Sequence, residues 1–381
     1  MEKIKVLVLE PQVYNGVFWY RTEQFARYAR ENKLLDVAYL DIRLSEKQLQ
    51  EVIAKADVFI CHLAAPSSYK ILSEINISPN KPLIIDIDDY YDEPNPFANL
   101  YNAYGTREVR LSDGTWLWKD GVGGFSIEDN RKRLEKMRAT LKKATVITTT
   151  TFKMKEYIQS ATGRDDNIVV IPNCLSKKYF PYLDCKRDDK IVKIGWAGGS
   201  SHFEDIYSIL PSLKKIMEQY PHVHYYHIGQ WFGVVEKWIP KERLHHYGWI
   251  NADGHGYRQA CLNLDIGLCP LTDHVFNQYK SSIKFYEYSA TKTATLAYNS
   301  LPYNEEIIEG ETGYLYETTD EFGKKLEFLI LNPLKRRIIA QKAYDWVWKY
   351  RNLEEIAKDW VEMIKNLIQV YKKNRLHMGH N

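Results

Sequence analysis

The 381-residue sequence has no apolar run approaching the roughly 18 residues that a membrane-spanning helix needs. Its opening stretch, Met1-Glu-Lys-Ile-Lys-Val-Leu-Val-Leu9, is too short in its apolar part for a secretory signal and has no small-residue cleavage site. It reads instead as a first buried strand. Cysteine is sparse: Cys61, Cys174, Cys185, Cys261 and Cys269 are scattered, and no Cys-x-x-Cys pair occurs. That argues against a zinc ribbon and a disulfide framework, and it fits a reducing, cytoplasmic compartment. A formal net charge of +3 is too small to demand a nucleic-acid partner. The short basic segment Lys372-Lys-Asn-Arg375 reads as a solvated end. The chain contains neither Gly-x-Gly-x-x-Gly nor the glycine-lysine signature of a P-loop.

What is present is ordinary globular composition, 45% hydrophobic and 27% charged, in a chain longer than one core usually serves. Two domains are the expectation. Short β-branched and apolar runs at residues 5–9, 37–40, 58–62, 83–88, 146–150 and 168–171 alternate with helical patterns at 24–31, 45–54 and 127–143. The second half repeats this, with strands at 193–197, 224–228, 244–247, 264–268 and 294–298. Helices are expected there at 206–219, 254–260, 282–290 and 320–331. Such alternation predicts parallel sheets covered on both faces, hence an α/β chain of two doubly wound domains.

The boundary falls after Val169-Val-Ile-Pro-Asn-Cys174, where a buried strand ends at a proline and a polar linker follows. This gives a domain over 1–175 with an insertion at about 94–125, a second over 176–350, and a C-terminal helix and tail over 351–381 that could pack back on the first. Within the insertion, Asp113-Gly114 between strand-like runs predicts a hairpin.

Open α/β sheets bind ligands beyond the carboxyl ends of their strands, and four such ends carry candidate chemistry. After the first strand, Gly16 would let the backbone approach a phosphate or sugar, or would simply serve a turn. In Ile84-Ile-Asp-Ile-Asp-Asp-Tyr-Tyr-Asp-Glu93, alternation places Asp86 and Asp88 on one face, with Asp89, Asp92 and Glu93 close by. So many carboxylates repel unless they meet a cation, arginines or a hydroxyl-rich ligand. Mg²⁺ would suit them but is not required, and sugar hydroxyls explain the cluster equally well. In Ile194-Gly-Trp-Ala-Gly-Gly-Ser-Ser-His-Phe-Glu-Asp205, a strand runs through Gly198, Gly199 and Ser200 into a helix, offering free amides to an anion. The fourth end precedes Lys280-Ser-Ser-Ile-Lys-Phe-Tyr-Glu287. There Ser281 or Ser282 can cap a helix whose amides, with Lys280 and Lys284, would cradle phosphate. Glu287, one turn in, could accept two ribose hydroxyls.

Taken together these segments resemble the group-1, family-4-like retaining glycosyltransferases of the GT-B fold. The resemblance rests on Val170-Ile-Pro-Asn-Cys-Leu175 as hinge, Ile194-Gly-Trp-Ala-Gly-Gly199, Tyr225-Tyr-His-Ile-Gly229, Tyr247-Gly-Trp-Ile250, Lys284-Phe-Tyr-Glu-Tyr-Ser-Ala290 and Gly310-Glu-Thr-Gly-Tyr-Leu315. It covers most of 165–320, whereas the first half is similar in layout only. It implies two facing Rossmann-like domains with a cleft between them, the second holding a nucleotide-diphosphate sugar. Gly198 and Gly199 would face the diphosphate, Lys280 and Lys284 would neutralise it, and the amides of Ser281 to Ile283, Ser282 among them, would reach the distal phosphate and sugar. Glu287 would hold the ribose, the backbone near Trp249 and Ile250 would border the base, and Gly16 would close over the donor. Tyr279 stands where the family carries a second glutamate, and Asp88-Asp89 where many members carry a histidine. No basic residue follows the glycine loop, which puts the weight on the two lysines.

The expected function is transfer of a sugar, with retention, from a nucleotide-diphosphate sugar to an acceptor hydroxyl on a glycan, small molecule, protein or nucleic acid. No obligatory cofactor is implied. Asp88 or Asp89 would position the acceptor or the donor sugar. A nucleotide-sugar epimerase or a phosphorylase on the same fold, and a nucleic-acid-modifying sugar transferase, are the competing readings.

Overall fold

A computed structural model describes residues 3–10, 16–41, 43–63, 81–182, 190–250 and 264–378. The helix expected at 254–260, residues 11–15 of the first loop, Cys185 and Cys261 lie outside them. In chain order the first half supplies β1 (Lys5–Val8), β2 (Asp36–Tyr39), β3 (Val58–His62), β4 (Leu83–Asp86), β5 (Val109–Arg110), β6 (Trp116–Trp118), β7 (Val146–Thr149) and β8 (Ile168–Val170). The second half supplies β9 (Val192–Gly198), β10 (Val223–Gly229), β11 (Leu244–Tyr247), β12 (Ile266–Cys269), β13 (Ala294–Tyr298) and β14 (Tyr314–Tyr316). The chain divides into two compact units. One comprises Met1–Asp92, Ile127–Asn173 and Leu353–Asn381; the other comprises Glu93–Ser126 and Cys174–Asn352.

The first unit is built on a six-stranded parallel sheet in the order β2-β1-β3-β4-β7-β8. All residues of β3 and β7 are buried, as expected of strands covered on both faces. Its helices begin where side chains satisfy free amides. Ser45 and Gln48 form a reciprocal capping box before Glu46–Lys55, and Thr151 caps Phe152–Thr162. That second helix ends at Gly163, whose φ of 68° is left-handed and suits glycine. The long helix Leu353–Met378 belongs to this unit and brings the Trp360 ring to 5.7 Å from Phe25.

The second unit is built on another parallel sheet, ordered β11-β10-β9-β12-β13-β14. Counted from β9 this is the 3-2-1-4-5-6 winding of dinucleotide-binding folds, so the winding reverses between β9 and β12. Trp196, Ile206, Leu210, Tyr225, Leu268 and Phe322 lie in its core. The insertion belongs here, although its place in the chain pointed to the first domain. Phe97 stacks on Phe203 at 4.9 Å, and Trp118 Nε1 donates to Pro96 O at 2.7 Å. Its β5–β6 hairpin is antiparallel and turns at Gly114, with φ of 86°. Among the described residues no helix is long and apolar enough to cross a membrane.

Candidate functional site

The switch point of the second sheet gathers most of the residues singled out from sequence. β9 ends at Gly198, where a Cβ would lie 2.5 Å from the Trp196 ring and 3.1 Å from Lys284 Cε, so no larger residue fits. Gly229, with φ of 99°, backs this turn; a Cβ there would meet Gly198 O at 2.4 Å. Gly199 is followed by the short turn Ser200–His202 and the helix Phe203–Gln219. On the other side of the reversal, the loop after β12 leads through Thr272 and Asn277 to Lys280 and the helix Ile283–Ala290. Ser282 occupies its N-cap position, but its hydroxyl donates to Pro302 O at 3.1 Å and makes no cap bond. The expected capping role of Ser282 is therefore corrected: the turn toward Pro302 takes the hydroxyl away. Glu287 is buried on this helix.

One carboxylate ties the two sides together. Asp205 Oδ1 accepts from Thr272 N at 2.7 Å, Thr272 Oγ1 at 3.0 Å and Asn277 Nδ2 at 3.2 Å, while its Oδ2 lies 2.7 Å from His202 Nδ1. Burial by itself would push the Asp205 carboxyl up, but His202, Lys280 and these donors hold it at about 2. The far nitrogen of His202, Nε2, lies 2.8 Å from Lys284 Nζ. Burial, together with the charges of Lys280 and Lys284, lowers His202 to about 3. Desolvation also lowers the half-buried Lys284. Sequence reading passed over His202 and Asp205, although a histidine and an aspartate three positions apart at a helix start was the available signal. Trp249 is 61% exposed, its ring 3.9 Å from where a Gly199 Cβ would lie, and Ile250 is half-buried beside it.

The first unit carries its own cluster at strand ends. Its winding reverses between β1 and β3, where Glu10 Oε1 accepts from His62 N at 2.7 Å. His62 Nε2 lies 3.1 Å from Asp88 and 3.6 Å from Asp86, so the two aspartates do share a side. Burial alone would lower His62; Asp88, Asp86 and Glu10 override it and raise the imidazole to about 9. Asp88 in turn is held low, the pull of His62 and Arg21 outweighing burial. Asp86 has different partners. It takes both arms of buried Arg21, at 3.0 and 2.7 Å, and the Thr148 hydroxyl at 2.6 Å. Arg21 also donates to Ile171 O and Asn173 Oδ1. Asp92 is spent on Arg138 and Tyr157, and Glu93 on Arg107. The acidic run is thus several separate pairs, with Asp88 and Asp89 half-buried at the strand end. Gly16 opens a helical run in this unit, and a Cβ there would meet nothing within 4 Å. Among the described residues no group of three or more His, Cys, Asp or Glu side chains is placed to hold a metal ion.

Comparison with known proteins follows the same lines. Residues 211–362 match a family model described as glycosyl transferase-like. No curated protein matches the sequence. Among solved structures, HepE from Anabaena, in complex with UDP and glucose, is 13% identical with a TM-score of 0.63, over 96% of this chain and 100% of that one. Sucrose-phosphate synthase from Thermosynechococcus elongatus is 14% identical with a TM-score of 0.66, over 97% and 100%. A glycosyltransferase from Rickettsia africae is 14% identical with a TM-score of 0.60, over 98% and 99%. These likenesses establish the fold: the chain has the GT-B architecture of two Rossmann-like units.

Proposed function

We propose that the chain is a glycosyltransferase that takes its sugar from a nucleotide-diphosphate donor held in the second unit. The observation that carries this reading is the convergence at the β9–β12 reversal of the Gly198–Gly199 turn, Lys284 beside Gly198, and the start of the helix Ile283–Ala290. Close backbone, a cation and unpaired helix amides are what a diphosphate requires. Lys280 adds charge, Ser200 and Ser281 line the same turns, Glu287 is assigned the ribose, and Trp249 with Ile250 the base. The solved complexes of HepE with UDP and with UDP-glucose support uridine as the first base to try.

Transfer breaks the bond from the anomeric carbon to the diphosphate oxygen and forms one to the acceptor oxygen. Lys284, Lys280 and the helix amides stabilise charge on the departing diphosphate. We assign retention, by a route in which the leaving phosphate oxygen takes the acceptor's proton, so no side-chain nucleophile is required. Asp88 or Asp89 of the first unit orients a sugar or acceptor hydroxyl.

UDP is expected to raise the thermal midpoint of the wild-type chain in a concentration-dependent way, since a ligand at about 100 times its Kd adds ~2.7 kcal/mol. Glu287→Ala should weaken UDP at least about tenfold by calorimetry while leaving the fold intact, the loss of one charged hydrogen-bonding partner being worth ~1.5–3 kcal/mol. Unchanged affinity would remove the ribose assignment. For the first unit, Asp88→Asn and Asp89→Asn are made separately. At least one is expected to lower turnover about a hundredfold, a size typical of lost positioning or proton-transfer groups. Normal turnover in both folded variants would sink the role given to this strand end.

A further inference from the structure

A lysine serving a phosphate must keep its ammonium aimed at the ligand, although its long stem has many rotamers to lose. Here the Lys284 stem runs beside Gly198, and its Nζ meets His202 Nε2 at 2.8 Å. The chemistry of the neighbours fixes the direction of each proton. Asp205 is a carboxylate and can only accept, so His202 Nδ1 carries the hydrogen of the 2.7 Å bond between them. An ammonium can only donate, so Nε2 is the acceptor for Lys284. His202 is therefore a neutral imidazole in one tautomer, and the lowering of its pKa to about 3 agrees. Asp205 is immobilised in turn by Thr272 and Asn277, from the loop beyond β12. One chain of bonds thus runs from the β12 loop through Asp205 and His202 to the ammonium beside the β9 turn.

We propose that His202 is a positioning residue for diphosphate recognition: with its tautomer set by Asp205, its Nε2 lone pair holds the Lys284 ammonium at the phosphate site beside Gly198. The inference rests on the donor reading above and adds to it. The sequence places no arginine or lysine directly after Gly198-Gly-Ser-Ser201. An acceptor that aims Lys284 keeps its one charge at that turn. An ammonium has three hydrogens, and His202 engages one of them, so donors remain for phosphate oxygens.

Two substitutions separate the nitrogens of His202. His202→Asn keeps a polar group near the Nδ1 position, facing Asp205, but has nothing at Nε2. His202→Gln places a carbonyl oxygen near Nε2, where Lys284 can donate to it. UDP and uridine binding to the full chain are measured by calorimetry, uridine by displacement, with thermal unfolding as the control for folding. The asparagine variant is expected to lose at least tenfold in UDP affinity with uridine unchanged, and the glutamine variant to recover most of that loss. The inference is overturned if both variants bind UDP as the wild type does, or if glutamine is no better than asparagine. A structural role through Asp205 alone would favour asparagine. Should the wild-type chain bind no UDP, the donor reading itself fails and takes this inference with it, a result distinct from either variant outcome.

Discussion

Lys284→Met is expected to slow sugar transfer by about 10²–10³-fold, the usual cost of removing one prearranged donor to a charge that develops in the transition state. Methionine keeps an unbranched stem of similar length beside Gly198, so packing against the β9 turn survives and the loss reports on the ammonium. Lys280 cannot replace it, because its Nζ sits over the Phe276 ring at 5.2 Å and is carried by the preceding loop, not by the helix Ile283–Ala290. The measurement is single-turnover release of UDP from UDP-glucose, with saturating donor to remove the effect on binding. A rate within threefold of the wild type would mean that Lys284 serves binding or packing and not departure of the diphosphate.

Arg21→Ala is expected to cost ~3–5 kcal/mol of stability, as breaking a buried ion pair usually does. The guanidinium is fully enclosed and makes two bonds to Asp86, one to Ile171 O and one to Asn173 Oδ1. Its removal leaves Asp86, 3% exposed, without the two-armed guanidinium, keeping the Thr148 hydroxyl and the more distant His62 at 3.6 Å. Urea unfolding should show an early transition moved to lower denaturant. Replacing both partners, Arg21→Met with Asp86→Leu, should cost less than Arg21→Ala alone, because no charge is then stranded. A loss below about 1 kcal/mol for Arg21→Ala would match an exposed pair instead and would contradict the enclosure.

This pair also marks where sequence reading stopped short. Spacing along one strand correctly put Asp86 and Asp88 on a common side, since side-chain direction alternates with the backbone. It could not tell that Asp86 belongs to Arg21, 65 residues earlier, and Asp88 to His62, 26 residues earlier. Partners at that separation are set by strand order, which local patterns do not encode. Regular elements were easier. The helices Gln24–Glu31 and Ile127–Lys143 and the strand Leu244–Tyr247 were legible residue for residue, because periodicity and caps are local. The helix Phe152–Thr162 went unseen despite its Thr151 cap and Gly163 stop. In the second unit the glycines and lysines were legible by type. His202 and Asp205 were not, because their importance comes from what they touch.

The chain passes from one unit to the other at Asp92–Glu93, returns at Ser126–Ile127, leaves again at Asn173–Cys174 and comes back at Asn352–Leu353. Neither unit is a single uninterrupted segment. During synthesis, the surface around Phe25 therefore waits for Trp360 until the whole second unit has emerged. The N-terminal unit cannot finish its packing before the second unit has been made. The second unit has all of its segments once Asn352 is made, whereas the first still lacks the helix that starts at Leu353.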